Sequence, residues 1–262
     1  MIYESLVHDW RYTGRPGKIS LLVPFRTDHA ERERNWRWLE RYWRAVMPEA
    51  EVIVGTDDGR PFCKTAAVNR AFRRSTGDII VVLDADCYIS PESIRECARR
   101  IREARAYGRP LWYMPYKRFY RLTEPASMRL LESDPADALT FGDPPPDADL
   151  DSSSGVSIGH WYGALIQMMP REAFIEVHGM DERFRGWGGE DISFMYAIDT
   201  LFGRHRVFNG PVYHVHHATI KGKWKYTRQW DGQASPEIND QLSTKYQEAV
   251  GDRLRMSQLI DG

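Results

Sequence analysis

The stretch Asp78-Ile79-Ile80-Val81-Val82-Leu83-Asp84-Ala85-Asp86 decides the fold. Five apolar residues in a row, four of them β-branched, read as a strand buried on both faces, as in parallel sheets. Two carboxylates then stand where the strand ends. Upstream, Ile19 to Val23 is a second such run, stopped by Pro24. From Glu31 to Val46, Trp36, Leu39, Trp43 and Val46 recur at three- and four-residue steps, which predicts an amphipathic helix ended by Pro48. Glu51 to Val54 reads as another strand, and Gly55-Thr56-Asp57-Asp58-Gly59 has loop chemistry. Lys64 to Arg74 reads as helix, closed by Gly77. Downstream, Ser90-Pro91-Glu92 is a cap followed by proline at the first helical position, starting a helix to about Arg105. Leu111 to Met114 is a fourth strand. Strand and helix alternate, so the expected class is α/β, a mostly parallel central sheet flanked by helices. Such sheets bind ligands beyond the carboxyl ends of their strands. The residues to watch are Pro24-Phe25-Arg26, Asp57-Asp58 and Asp84-Ala85-Asp86.

The 262 residues suffice for their own core, with close to three quarters of the unfolded surface buried on folding. Lys and Arg number 36 and Asp and Glu 37, so the formal charge of -1 speaks against a general binder of polyanions. The three cysteines, Cys63, Cys87 and Cys97, form no disulfide framework and have no CxxC spacing for structural zinc. The longest apolar runs are too short to span a bilayer, and Met1-Ile2-Tyr3-Glu4 does not begin like a signal peptide. A cytoplasmic enzyme without a membrane span is the expectation, with nucleic acid not expected as a partner.

Beyond the fourth strand the pattern changes. Asp134 to Ser154 is rich in Pro, Asp and Ser and reads as a long loop, placed by conjecture over an acceptor site. Structure returns with Tyr162 to Met169, a helix from Pro170, a helix from Asp191 to Phe202 and a strand from Val207 to Val212. The tail from Ser235 is polar and reads as helical.

Asp84-Ala85-Asp86 offers hard oxygen ligands for Mg²⁺ or Mn²⁺ beside a diphosphate; read without function it is an acidic loop. His214, His216 and His217 follow the last strand, where imidazole suits Mn²⁺ better than Mg²⁺. Strand alternation puts His214 and His216 on one face and His217 on the other, unless a turn intervenes. Gly186-Trp187-Gly188-Gly189-Glu190-Asp191 is the sharpest feature. It is either a tight turn capped by two acids around a core Trp, or a mobile loop. In the second case Trp187 closes over a ligand, and the helix N-terminus keeps a general base ionised. Lys221-Gly222-Lys223-Trp224-Lys225-Tyr226 interleaves cations and aromatics, as a solvated loop or an anion contact does.

Taken in order, these pieces resemble the β-1,4-galactosyltransferase family of GT-A glycosyltransferases, with likeness to polypeptide N-acetylgalactosaminyltransferases and bacterial family 2 enzymes. The resemblance rests on several matches between residues 19 and 220. They are Val23-Pro24-Phe25-Arg26, Phe62-Cys63-Lys64 with Asn69, Asp84-Ala85-Asp86, Tyr162-Gly163-Ala164 with His178-Gly179-Met180, the glycine motif residue for residue, and His214-x-x-His217. It implies a single GT-A catalytic domain over 1–262. About 19–115 would be the nucleotide-binding half, about 155–220 the acceptor and metal half, and 221–262 a C-terminal extension. It implies a UDP-sugar donor and Mn²⁺, with Mg²⁺ as the alternative ion. Asp86, His217 and His214 would be the ligands, His214 standing for the family's Met. Pro24, Arg26, Asp57, Phe62, Lys64, Asp84, Trp161, Trp187 and Gly188 would serve the donor, Phe62 stacking on the base. Asp191 would deprotonate the acceptor hydroxyl and Glu190 would orient the acceptor. Thr27-Asp28 stand where the family has a second Arg, Lys64 replaces an Arg, and Trp161 takes the position that tunes donor choice. The expected reaction moves a hexose or N-acetylhexosamine to an acceptor hydroxyl with inversion. The alternatives are a retaining enzyme of the polypeptide N-acetylgalactosaminyltransferase type and a non-catalytic nucleotide-sugar or glycan-binding module.

Overall fold

A computed structural model of the chain describes residues 13–27, 30–59, 61–151, 157–158, 165–186, 188–217 and 236–262. Strand β1 (Arg15–Pro24) is followed by α1 (Ala30–Val46), β2 (Ala50–Gly55), α2 (Lys64–Arg74), β3 (Gly77–Leu83), β4 (Cys87–Tyr88) and α3 (Pro91–Ala106). Then come β5 (Tyr113–Met114), β6 (Arg118–Arg121), α4 (Glu124–Glu132), β7 (Ser157–Ile158), β8 (Ile166–Pro170) and α5 (Arg171–Glu176). The remainder is α6 (Glu190–Leu201), β9 (Arg206–Val207), β10 (Pro211–His214), α7 (Pro236–Glu248) and α8 (Arg253–Asp261).

The main sheet has six strands in the order β2-β1-β3-β8-β5-β9. β1 pairs in parallel with β2 and β3, and β5 in parallel with β9. β8 runs against both of its neighbours, so it alone opposes the common direction. The long β-branched run of β3 fills the centre, and all seven of its residues are buried. On one face α1 packs Trp36, Trp38, Leu39, Tyr42 and Trp43 into the core, with Trp38 and Tyr42 stacked at 5.6 Å. On the other face α2, α5 and α6 cover Leu22, Ile80 and Val82. α3 starts as its sequence directs: Ser90 Oγ accepts from the Glu92 amide at 3.2 Å and Pro91 takes the first position. Among the described residues no helix is long and apolar enough to cross a membrane.

A second sheet, β4-β10-β6-β7, was not foreseen from the sequence. Its strands are two to four residues long, below what hydrophobic periodicity resolves. The strand expected over Val207 to Val212 divides. Arg206–Val207 joins the main sheet, Asn209-Gly210 turns the chain, and Pro211–His214 enters the second sheet. His214 therefore ends a strand instead of following one. Helix α4 was missed as well, although Thr123 Oγ1 caps it by accepting from the Ala126 amide and a proline stands in its first turn. The expected strand at Leu111 shortens to Tyr113–Met114. Residues 134–151 make two short 3-10 turns, the first packed on α1, and the segment between them meets the second sheet. Tyr213 donates to the Phe141 carbonyl at 3.0 Å, and Arg118 pairs with Asp143.

Candidate active site

The second sheet builds the metal-ready corner. β4 begins one residue after Asp86 and pairs antiparallel with β10, which sets His214 opposite Cys87. The ladder continues with the Val215 amide donating to the Asp86 carbonyl at 2.9 Å. The chain then turns out of the strand. Asn35 of α1 donates to the His216 carbonyl and the His216 amide donates to Ser127 Oγ, both at 2.8 Å. That turn swings His217 back toward Asp86, so alternation fails here: His214 and His217 join Asp86, and His216 lines the adjoining cavity. Nε2 of His217 lies 3.1 Å, and that of His214 3.6 Å, from Asp86 Oδ2. One ligand atom from each of the three falls within 4.8 Å of the others. One carboxylate and two imidazoles suit Mn²⁺ and its first-row neighbours. Burial works against the Asp86 charge, but His214, His217 and Arg32 outweigh it and hold its carboxyl well below the ordinary range.

Asp84, two residues before Asp86, belongs to a second cluster. Lys64 Nζ is 2.6 Å from Asp84 Oδ1, 2.8 and 3.0 Å from the two carboxylate oxygens of Asp191, and 3.9 Å from Glu190 Oε1. Burial opposes the ammonium charge, yet Asp191, Asp84 and Glu190 together raise its pKa well above the usual lysine value. Burial also drives the Asp191 carboxyl well up, with Lys64 opposing and Glu190 and Asp84 adding to the rise. Burial and the neighbouring carboxylates thus act against the ionised form that a helix N-terminus favours. Asp84 is raised for the same first reason. Glu190 is folded back on its own turn, its Oε2 accepting from the Gly188 amide at 2.9 Å.

The loop beyond β1 and β2 gathers the other candidates. Pro24 ends β1 opposite Gly55. Arg26 donates to the Gly59 carbonyl at 2.7 Å, and its guanidinium lies 5.2 Å from the Phe62 ring centre. One face of the ring expected to stack on a base is thus covered by Arg26. Asp57 is buried and holds the loop: Oδ2 accepts from the Gly59 and Cys63 amides at 3.0 and 3.2 Å, and Oδ1 pairs with Arg70 at 2.9 Å. Its carboxylate is a framework group in this arrangement.

Residues 57–145 match the family model described as glycosyl transferase family 2, and residues 157–217 match the one described as the N-terminal domain of galactosyltransferase. The structure of GalNAc-T7 with UDP, GalNAc and Mn²⁺ is similar at a TM-score of 0.51 and 12% identity, over 89% of this chain and 49% of that one. The chain thus spans about half of that protein. Two glycosyltransferase family models thus match separate parts of the chain, and its fold is that of GT-A glycosyltransferases. Two structures of Drosophila β1,4-galactosyltransferase 7 are also similar. The complex with xylobiose has 19% identity and a TM-score of 0.39. A mutant complex with manganese, UDP-Gal and xylobiose has 16% identity and a TM-score of 0.42. Each covers 83% of this chain and 82% of the other. No curated protein matches the chain.

Trp161 and Trp187, expected to face the donor, lie outside the described residues, as does Lys221 to Tyr226. Several functional neighbours escaped the sequence reading. Gln167 on β8 donates to the Asp191 carbonyl at 2.9 Å, and buried Asn35 fixes the histidine turn. A cavity of about 380 Å³ opens beside His214 and His217, lined also by Arg121, Thr123, Glu124 and Asp151. The Thr123-Glu124-Pro125 cap, passed over in the sequence reading, is the signal that could have marked the Thr123 side of that cavity.

Gly188 and Gly189 carry the turn into α6 at φ of 112° and 86°. A Cβ on Gly189 would meet Ser243 at 3.1 Å and Phe184 at 3.2 Å. Gly189→Ala is expected to destabilise the fold by about 1–2 kcal/mol from the left-handed backbone alone. Denaturant unfolding checks it, and an unchanged midpoint would mean the turn relaxes freely.

Proposed function

We propose that the enzyme transfers a hexose or N-acetylhexosamine from a UDP-sugar to an acceptor hydroxyl, with inversion. One observation carries this reading. Within the three-residue segment Asp84-Ala85-Asp86, Asp86 belongs to the metal-ready set and Asp84 is tied through Lys64 to Asp191. In-line displacement needs that division, with a base beside the incoming oxygen and charge stabilisation beside the leaving one. The matched galactosyltransferase model and the neighbours solved with UDP, UDP-Gal and manganese support the donor and the ion.

Asp86, His214 and His217 would hold Mn²⁺, with Mg²⁺ the weaker candidate because two of the donors are imidazoles. An ion held there would supply positive charge to the leaving diphosphate. Asp191 takes the acceptor proton as the acceptor oxygen bonds to the anomeric carbon. The bond from that carbon to the diphosphate breaks, and its electron pair leaves with UDP. A carboxylate of raised pKa is a stronger base for this task. Glu190 holds the glycine turn and orients the acceptor. Pro24, Arg26 and Phe62 border the nucleotide side. The chain works as one catalytic domain, 19–115 on the nucleotide side and 155–220 on the acceptor and metal side. Three buried free thiols fit a reducing, cytoplasmic setting.

Proton NMR of the product reads the anomeric configuration. Inversion is expected, and retention would overturn the assignment of Asp191 as base. A second expectation concerns pH. Asp191 must be ionised to accept a proton, and burial favours its neutral form. The kcat measured at saturating Mn²⁺ and donor should therefore fall, on acidification, through a midpoint above the ordinary carboxylate range near 4. A midpoint at or below 4 would contradict a buried base.

A further inference from the structure

Lys64 stands at the first position of α2, where the helix dipole disfavours a cation, and burial disfavours it further. Three carboxylates offset both effects. An ammonium has three N–H donors. The three short contacts, to Asp84 Oδ1 and to both oxygens of Asp191, direct each of them at a protein carboxylate. The start of the helix is itself fixed to the turn that opens α6. Cys63 forms a parallel bridge with Gly186, and its thiol donates to the Phe184 carbonyl at 3.4 Å. Gln167 holds the main chain of Asp191 from β8. With the backbone fixed by Gln167 and both carboxylate oxygens by Lys64, the plane of the Asp191 carboxylate is set.

We infer that Lys64 is a positioning residue for Asp191, tying it to Asp84 at the end of β3, and not a ligand of the donor diphosphate. The inference rests on Asp191 being the base proposed above. It assigns Lys64 a part different from the phosphate or base contact that replacing an Arg suggested. A point charge with three free donor directions can bridge two carboxylates on different elements, where a planar guanidinium prefers one in bidentate fashion.

The test separates rate from donor binding. Lys64→Met should lower kcat by about 100-fold, the scale of a misplaced catalytic group. Its Kd for UDP in Mn²⁺, read by calorimetry, should stay within about threefold. Lys64→Arg should recover part of kcat, since it restores charge but not the same bridge. Lys64→Gln, which keeps one hydrogen bond, replaces the Met variant if that one fails to fold. A Kd for UDP raised about tenfold or more with kcat retained would make Lys64 a phosphate ligand and overturn the inference. So would a kcat unchanged in all variants. Asp191→Asn, assayed beside them, tells the two failures apart. If it transfers sugar at a near-native rate, the base assignment falls and the inference with it. If it is inactive while Lys64→Met is fully active, the inference alone falls.

Discussion

Asp191→Asn is expected to lose about 10²–10⁴-fold in kcat, the span a positioned general base contributes, while UDP and Mn²⁺ bind as before. Asparagine keeps the shape and can still meet Lys64, but it has no charge with which to take a proton. Asp57 and Arg26 are held independently of Asp191: Asp57 by its own loop and Arg70, and Arg26 by the Gly59 carbonyl. The metal-ready set is likewise built from β4, β10 and the turn after it. Two assays decide the matter. Transfer should collapse in a radiolabelled or coupled UDP-release assay, and calorimetry should return a UDP affinity within about threefold of wild type. Near-native turnover would remove Asp191 from the chemistry, and a parallel loss of UDP affinity would make it a donor contact.

The elements with long, regular patterns were legible in the sequence. β3 needed only its apolar run, α2 was expected over the range it occupies, and α3 announced itself with Ser90-Pro91. The candidate residues were legible for a similar reason: polar groups at the ends of such strands have few other places to be. What the sequence hid was their pairing. Lys64 and Asp191 stand 127 positions apart, and no local pattern states that they meet. The meeting follows from the Cys63–Gly186 bridge, a tertiary event. The choice of His217 over His216 has the same origin. Strand alternation is a rule for extended chain, and Asn35 and Ser127 end the extension there. The second sheet hid because strands of two to four residues owe their existence to register with neighbours, not to propensity.

The electrostatics of the two clusters follow from their composition. Around Lys64, one cation faces three carboxylates, and burial resolves the excess by pushing Asp84 and Asp191 toward their neutral forms. Around Asp86, one carboxylate faces two imidazoles and Arg32, and is held ionised. Two aspartates separated by one alanine are thus driven in opposite directions. The proposed base, Asp191, lies with Asp84 in the raised cluster, and the proposed metal ligand Asp86 in the lowered one, as those two roles require.

Asp86→Ala carries the same argument to the ion. Asp86 is the only carboxylate of the set, and without it two imidazoles remain. Mn²⁺ draws much of its affinity from anionic oxygen, so the remnant should bind it weakly. Loss of an outer-shell partner alone typically costs 10–100-fold in metal affinity. Removing a direct ligand should therefore cost about 100-fold or more in Mn²⁺-dependent UDP binding, with transfer falling in step. His214→Ala and His217→Ala should fall between this variant and wild type, because each leaves the carboxylate in place. The fold should survive, since β4 and β10 pair through main-chain groups that the side chain does not touch. Calorimetry of UDP with and without Mn²⁺, beside a thermal melt, separates the outcomes. Micromolar UDP binding that needs both Mn²⁺ and Asp86 is the expected result. Equal UDP affinity with and without the ion, or no change in Asp86→Ala, would move the metal elsewhere and leave Asp86 a surface acid paired with two histidines.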